Sequence, residues 1–113
     1  MATAEIKRHW RRVSELGCLV TRRPEPTIHH CHGGSMLTVP GFVNPGMRQK
    51  SSDWLVIPLT MELHTGNKGI DVIGVKTWEN QYFNQVILLD EVCRRIGVNV
   101  WAMAGIKRKV EIF

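Results

Sequence analysis

The clearest amphipathic pattern lies near the N-terminus and predicts a helix over residues 3–16. Its apolar positions recur at helical spacing: Ile6, Trp10, Val13 and Leu16. Thr3 is suited to cap the first turn, and Gly17 can end the helix in a left-handed conformation. Basic side chains fill much of the other face. That face either contacts phosphate groups or is simply solvated.

A second set of apolar positions, nearer the C-terminus, predicts a short helix over residues 78–82 and a longer one over 84–96. Thr77 resembles the N-cap of the first, and Gly97 would end the second. The apolar stripe of the longer helix contains Val86, Leu88, Leu89, Val92 and Ile96. A stripe of this kind is typical of a helix face that packs on a core.

Short β-prone runs bounded by proline and glycine predict several strands. Residues 18–21 and 27–30 would form two strands on either side of a proline-containing turn, and residues 53–57 would form another. Further short strands or ordered extended segments are predicted at 70–74, 98–101 and 109–113.

Between these runs, residues 33–52 are rich in glycine and proline and predict a long irregular loop, which is often a functional or mobile feature. Pro58 suits the first turn of a helix, so residues 59–64 are predicted to be helical. The pattern shows neither an internal repeat nor a linker. It therefore predicts one α+β domain over residues 1–113.

Composition narrows the class of protein. With 113 residues, 43% hydrophobic and 22% charged, the chain can build one modest core. No apolar run approaches the roughly 20 residues of a membrane span, and the N-terminus lacks the apolar segment of a signal peptide. We therefore expect a cytoplasmic protein with no membrane partner. The three cysteines argue against a secreted disulfide scaffold. The net charge of +5 indicates either nucleic acid as a partner or a solubilising surface.

Adjacent histidines at the end of the run over 27–30 carry the strongest chemical signal. Neighbouring strand residues point to opposite faces, so one imidazole could hold a metal ion while the other takes a proton. His64, at the end of a predicted helix, offers a further ligand. The alternative interpretation is that His29 is a satisfied core residue, with His30 and His32 exposed.

Several motifs follow one another along the chain: Leu16-Gly17-Cys18, Pro26-Thr27-Ile28-His29-His30, Lys50-Ser51-Ser52-Asp53-Trp54-Leu55-Val56-Ile57-Pro58-Leu59, His64-Thr65-Gly66 and Trp78-Glu79. In this order they resemble a phage or prophage HNH-type (ββα-metal) nuclease, nearest to the recombination-enhancement (Ref-like) group. The resemblance implies a small HNH-like domain with flanking N- and C-terminal helices. In such a domain a hairpin carries a histidine base and a crossing helix carries a metal ligand.

The resemblance also implies roles for individual residues. His29 would bind the metal, and His30 would be the general base that activates water. His64 would be a second metal ligand and Asn67 a third. Asp53 would be a positioning residue, which orients the residues of the site without binding the metal itself. The implied cofactor is one divalent ion, magnesium or manganese.

The chain departs from this family where relatives carry two Cys-x-x-Cys pairs as a structural zinc site. The corresponding segments read Cys18-Leu19-Val20-Thr21 and Thr60-Met61-Glu62-Leu63. Because three of the four thiolates are missing, we expect no structural zinc. An apolar cluster with Leu63 and Met61 near Cys18 would replace it.

Together these features predict a divalent-metal-dependent DNA endonuclease that acts in recombination or DNA processing in a bacterial host cell. The expected partners are DNA and, as a second candidate, a recombination protein. One alternative is a catalytically weak DNA-binding accessory protein on the same fold, and another is an interaction domain with structural histidines. The predicted DNA-binding residues are Arg22, Arg23, Arg48 and Lys50.

Overall fold

An antiparallel pair of strands packs among six α-helices in the part of the chain that the computed structural model describes, residues 2–45 and 52–112. This architecture confirms the predicted α+β class. The elements in chain order are α1 (Ala4–Glu15), β1 (Thr27–His30), a 3₁₀ helix (Gly34–Thr38), β2 (Val56–Leu59), α2 (Met61–His64), α3 (Ile70–Ile73), α4 (Val75–Gln81), α5 (Gln85–Ile96) and α6 (Val100–Met103).

The two long helices, α1 and α5, lie where the apolar pattern predicts them. The hydroxyl oxygen of Thr3 accepts a hydrogen bond from the Ile6 N–H at 3.2 Å and caps α1. The side-chain oxygen of Asn84 accepts from the Ile87 N–H at 2.8 Å and caps α5, which ends at Gly97 with a φ of 72°. Each helix has its own cap and its own apolar stripe, and both predictions are confirmed.

The sheet pairs β1 with β2, and Ile28 lies opposite Pro58. The prediction that Pro58 begins a helix is wrong, because this residue is buried inside β2. The Cys31 N–H donates to the Leu55 carbonyl at 2.9 Å just beyond the strands. Hydrogen-bonded pairs alternate in an antiparallel ladder, so Ile28 and Pro58 form a pair that exchanges no hydrogen bond, and a proline fits there. The following helix, α2, begins only at Met61.

Residues 18–21 form a turn and not the predicted strand. The Arg22 N–H donates to the Cys18 carbonyl at 2.8 Å, and the Cys18 N–H donates to the Arg23 carbonyl at 2.9 Å. Arg22 adopts a φ of 62°, which an extended strand does not contain. The Leu19 N–H still reaches the Pro58 carbonyl at 3.3 Å, so the turn contacts β2 without joining the sheet.

The segment predicted to be extended at 70–74 is instead helix α3 followed by Gly74. Ile70 is buried and Ile73 packs on the core, and this three-residue spacing is helical, with no strand-like alternation. The helix predicted at 78–82 begins earlier, at Val75, so Thr77 lies inside α4 and does not cap it. These two corrections matter because α3 carries a residue of the site described below.

The C-terminal segments also differ from the prediction. Residues 100–103 form α6, because the Asn99 side-chain oxygen accepts from the Trp101 N–H at 3.0 Å and caps a helical turn. Residues 107–112 have no regular secondary structure. The strands predicted at 98–101 and over the described part of 109–113 are therefore absent.

The core collects side chains from both strands, all six α-helices and the 3₁₀ helix. Its largest fully buried members include Trp78, Trp101, Met36, Leu55 and Leu89. In the described ranges, the longest helices have 12 residues, and none has the length and apolar character needed to cross a membrane.

The apolar cluster predicted around Cys18 is confirmed for Leu63 and wrong for Met61. Cys18 and Leu63 are buried in the common core, whereas Met61 is 66% exposed. Met61 is the first residue of α2, and its side chain points away from the face that buries Leu63. The Cys18 sulfur accepts a hydrogen bond from the Thr21 N–H at 3.4 Å. The expectation of no structural zinc remains a prediction.

Candidate metal centre

Three histidine rings surround the carboxylate of Asp71. Its Oδ1 lies 3.9 Å from His29 Nδ1 and 3.6 Å from His32 Nε2, and its Oδ2 lies 3.2 Å from His64 Nε2. One ligand atom each of His29, His32 and Asp71 lie within 4.8 Å of one another, a spacing at which one metal ion could contact all three. We call His29, His32, His64 and Asp71 the histidine cluster.

Local structure explains how three segments meet in this cluster. The alternation along β1 turns His29 inward, where it is 1% exposed, and His32 follows just past the strand. The chain leaves β2 and enters α2 after one residue, Thr60. This short connection brings His64 back over β1, so that its Nδ1 lies 2.8 Å from Thr27 Oγ1.

Gly69 allows α3 to approach the end of α2. Its φ of −76° is ordinary, but a Cβ at this position would collide with the carbonyl oxygen of His64. The N–H groups of Val72 and Ile73 both donate to the Gly69 carbonyl at 2.9 Å and begin α3 directly after this contact. The close approach therefore sets Asp71 beside His64.

Thr27 determines which nitrogen of His64 carries the proton when the ring is neutral. The threonine hydroxyl has a single hydrogen, which it donates to the Leu59 carbonyl at 2.8 Å. Thr27 Oγ1 must then accept from His64 Nδ1–H across the other 2.8 Å contact. The neutral ring is left with its lone pair on Nε2, the nitrogen that faces Asp71.

Gln85 determines the tautomer of His29 in the same way. The Gln85 amide oxygen accepts from the backbone N–H of His32 at 3.1 Å, so it is the oxygen that also lies 3.1 Å from His29 Nε2. An oxygen that accepts requires Nε2 to carry the hydrogen. The lone pair of neutral His29 is therefore on Nδ1, which also faces Asp71.

Two imidazole lone pairs and a carboxylate thus face one another, an arrangement that a cation between them would stabilise. Burial lowers the pKa of His29 to about 4, and burial also lowers the pKa of His64, so added protons are disfavoured at neutral pH. A divalent metal ion fits this donor set, because neutral imidazole and carboxylate are common ligands of zinc, manganese and related ions. The histidine cluster could therefore hold a metal ion.

His30 lies beside the cluster but has different contacts. Its Nε2 lies 2.9 Å from Asp53 Oδ1, and the Trp10 ring packs against it edge-on at a centroid distance of 5.7 Å. Trp10 also donates from Nε1–H to the Asp53 carbonyl at 2.9 Å, so α1 fixes both members of this pair. Burial is the main cause of the lowered pKa of His64; the Asp71 carboxylate acts in the opposite direction, and the nearby His30 ring lowers this pKa further.

Of the predicted ligands, the structure brings His29 and His64 together, with ring centroids 5.0 Å apart. Asn67 is exposed, and the side chain that meets the two rings is the carboxylate of Asp71. His32 also belongs to the cluster, although the sequence predicts it only as an exposed histidine. The position of His32, three residues after His29, is a signal that could have indicated it. Asp71 lies in a separate helix from His64, so no helical spacing in the sequence indicates it.

The predicted DNA-binding residues fall into two groups. Arg22 and Arg23 are exposed on the turn that follows α1. Arg48 and Lys50 lie outside the described residues. Asp53, predicted to support the site, is paired with His30, the neighbour of the predicted ligand His29 in β1.

Comparisons with known proteins supply no relative from which a role could be transferred. The chain matches no protein family, no curated protein and no solved structure. Any function assigned to it must therefore follow from its own side chains.

Proposed function

We propose that this chain is a divalent-metal-dependent DNA endonuclease of the HNH (ββα-metal) type, from a phage or prophage. One observation carries the proposal: lone pairs of neutral His29 and His64 face the Asp71 carboxylate, and His30 lies next to this group. His30 follows His29 in β1, and its ring is paired with the carboxylate of Asp53. The order of elements supports it, because the antiparallel pair β1–β2 is followed directly by the helix that carries His64.

In the proposed reaction, His30 takes the proton from the water that attacks the phosphodiester. Asp53 accepts the Nε2–H of His30, which leaves the lone pair of the neutral ring on Nδ1. The same carboxylate stabilises the imidazolium that forms when Nδ1 takes a proton. Trp10 restrains the Asp53 backbone and the His30 ring, so the base is oriented before substrate binds.

The histidine cluster would hold the divalent ion. A bound ion of this kind supplies electrostatic stabilisation to the phosphate and to the leaving oxygen. Three imidazoles and one carboxylate suit manganese better than magnesium, because magnesium prefers oxygen ligands and retains several waters. We therefore propose manganese as the more effective of the two expected ions.

The DNA part of the proposal is supported by charge. The chain carries 15 Lys and Arg against 10 Asp and Glu, and Arg22 and Arg23 are exposed. Phosphate contacts release condensed counterions, so binding should weaken steeply as the salt concentration rises. Affinity that stays constant between low and moderate salt would contradict a phosphate-binding surface.

A plasmid-nicking assay with manganese or magnesium tests the endonuclease proposal. Wild-type protein should nick only when a divalent ion is present. His30→Ala should slow nicking by about 10²–10⁴-fold, the usual contribution of a positioned base, and should keep metal affinity. Glu111→Ala removes an exposed carboxylate of the C-terminal segment and should nick like wild type.

Further results distinguish the proposed metal ligand, His64, from the proposed general base, His30. His64→Ala should lose both metal affinity and nicking, with partial recovery at high metal concentration. Wild-type protein that nicks neither single-stranded, duplex nor branched DNA with either ion would overturn the endonuclease proposal and favour an accessory DNA-binding role. Full nicking by His30→Ala would overturn the assignment of the base.

A further inference from the structure

Gln85 connects the start of α5 to two members of the histidine cluster. Its side chain is fully buried, and its amide oxygen lies 3.1 Å from both His29 Nε2 and the His32 backbone nitrogen. Its amide nitrogen donates to the His32 carbonyl at 2.8 Å. One amide thus holds the ring of His29 and both backbone polar groups of His32.

The backbone of His32 fixes the orientation of this amide. A peptide N–H can only donate and a peptide carbonyl can only accept, so the Gln85 oxygen and nitrogen cannot exchange places without losing both contacts. Because the oxygen is committed to accepting, the Nε2 of His29 is held in its protonated form. The constraint acts within the folded chain and does not depend on a bound ion.

Glu79, near the end of α4, holds Gln85 in place. Its Oε2 accepts from the Gln85 backbone N–H at 2.8 Å and lies 3.4 Å from the Gln85 amide nitrogen. Its Oε1 accepts from the Ser35 N–H at 2.9 Å. A Cβ at Gly34, the first residue of the 3₁₀ helix, would collide with the Glu79 carboxylate. This end of the 3₁₀ helix therefore lies as close to Glu79 as glycine permits. The amide is therefore held by α4 and the 3₁₀ helix as well as by α5.

We propose that Gln85 is a positioning residue of the metal centre, which keeps the His29 lone pair on Nδ1 and holds His32 beside it. Without this amide, the acceptor that faces His29 is the Asp71 carboxylate, 3.9 Å from Nδ1. The proton would then move to Nδ1, and the lone pair would leave the cluster. The metal-binding part of this inference rests on the proposed function, whereas the tautomer part does not.

The test combines Gln85→Leu with a matched control at the preceding residue. Long-range ¹H–¹⁵N spectra of the metal-free protein should show His29 protonated on Nε2 in wild type and largely on Nδ1 in Gln85→Leu. Manganese affinity of Gln85→Leu, measured by calorimetry, should fall about 10–100-fold, as is usual when a group that orients a ligand is removed. Asn84→Ala removes the α5 cap and should lower Tm by a few degrees, with the His29 tautomer and metal affinity unchanged.

A second variant covers the case in which Gln85→Leu does not fold. Gln85→Glu keeps an oxygen that can accept from His29 Nε2–H, so His29 should stay protonated on Nε2 even though the contact to the His32 carbonyl is lost. If the His29 proton stays on Nε2 in Gln85→Leu, or moves to Nδ1 in Gln85→Glu, the inference is overturned while the metal site stands. If wild type binds no manganese, the proposed function fails, and the tautomer spectra still decide the role of Gln85.

Discussion

Asp71 and Asp90 are both carboxylates close to nitrogen atoms, but the protons around them are arranged in opposite ways. Asp90 receives hydrogen bonds from Arg108 Nη2–H at 2.7 Å and from Trp101 Nε1–H at 2.9 Å. The hydrogen bond between Asp90 and Arg108 raises the pKa of Arg108. Asp71 lies within 3.2–3.9 Å of imidazole nitrogens, and the hydrogen bonds of Thr27 and Gln85 leave lone pairs on two of them.

The difference shows that a short nitrogen–oxygen distance does not by itself define an ion pair. The protein satisfies Asp90 with its own donors, and this contact ties the segment after α6 back onto α5. Asp71 is left opposite acceptors, so its natural counterpart is an added cation. The first arrangement stabilises the fold, and the second forms a group that could hold a metal ion.

The largest expected effect is on metal affinity in Asp71→Ala. Loss of a ligand should weaken manganese binding more than about 100-fold, because groups that only orient ligands already contribute 10–100-fold. The free energy of unfolding of the metal-free protein should stay within about 0.5 kcal/mol of wild type, or rise, since the lone pairs lose a facing anion. Calorimetric titration and urea unfolding measure the two quantities.

Asp90→Ala is the matched control for that experiment. It should cost about 2 kcal/mol of unfolding free energy, because the Trp101 N–H and the Arg108 guanidinium lose a charged acceptor. Manganese affinity should be unchanged. Similar losses of metal affinity in both variants would remove the contrast between the two carboxylates.

The next largest effect is expected on the pH dependence of the free energy of unfolding. Burial lowers the pKa of His29 from 6.5 to about 4, so the unfolded chain takes up this proton first as the pH falls. The stability that neutral His29 contributes is complete above pH 6.5 and is lost progressively down to about pH 4. The full shift corresponds to roughly 3 kcal/mol of unfolding free energy.

Urea midpoints of metal-free protein at several pH values should therefore fall through this window, and more steeply for wild type than for His29→Gln. Parallel profiles would show that His29 is not the group responsible.

A smaller effect is expected from Gly69→Ala. The added methyl group would collide with the His64 carbonyl, so α3 must shift relative to α2. Overpacking of this kind typically costs about 1–3 kcal/mol, and we expect about tenfold weaker manganese binding. Val72→Ala alters a side chain of the same helix that is 59% exposed and should leave affinity unchanged. Wild-type affinity in Gly69→Ala would show that the position of Asp71 does not depend on this close approach.

The elements that could be predicted from the sequence are those specified by their own residues. Each of α1 and α5 has a cap within its own first turns, and β1 is a short β-prone run bounded by proline and glycine. The four-residue helices α3 and α6 have too few residues for a periodic pattern. The place of Pro58 in β2 cannot be predicted locally, because it depends on which strand residues exchange hydrogen bonds, and this is a property of the paired sheet.

The same distinction applies to the site. His29 and His64 could be predicted because their residue types and local elements are visible in the sequence. Asp71 could not, because its segment was predicted to be extended and its position depends on Gly69 meeting α2. Gln85 reads as an ordinary first residue of a helix, and its role follows only from contacts with residues more than 50 positions away.

The shortness of α3 has a consequence for the rate at which a metal ion is exchanged. A helix of four residues has almost no stability of its own, so α3 depends on the burial of Ile70, the packing of Ile73 on the core and the contacts with α2 and α4. Such a turn can open while the core stays folded. Asp71 would then swing away from the three rings. If the cluster holds an ion, we expect its residence time to be governed by the opening of this helical turn, so that the ion could enter or leave without unfolding of the core.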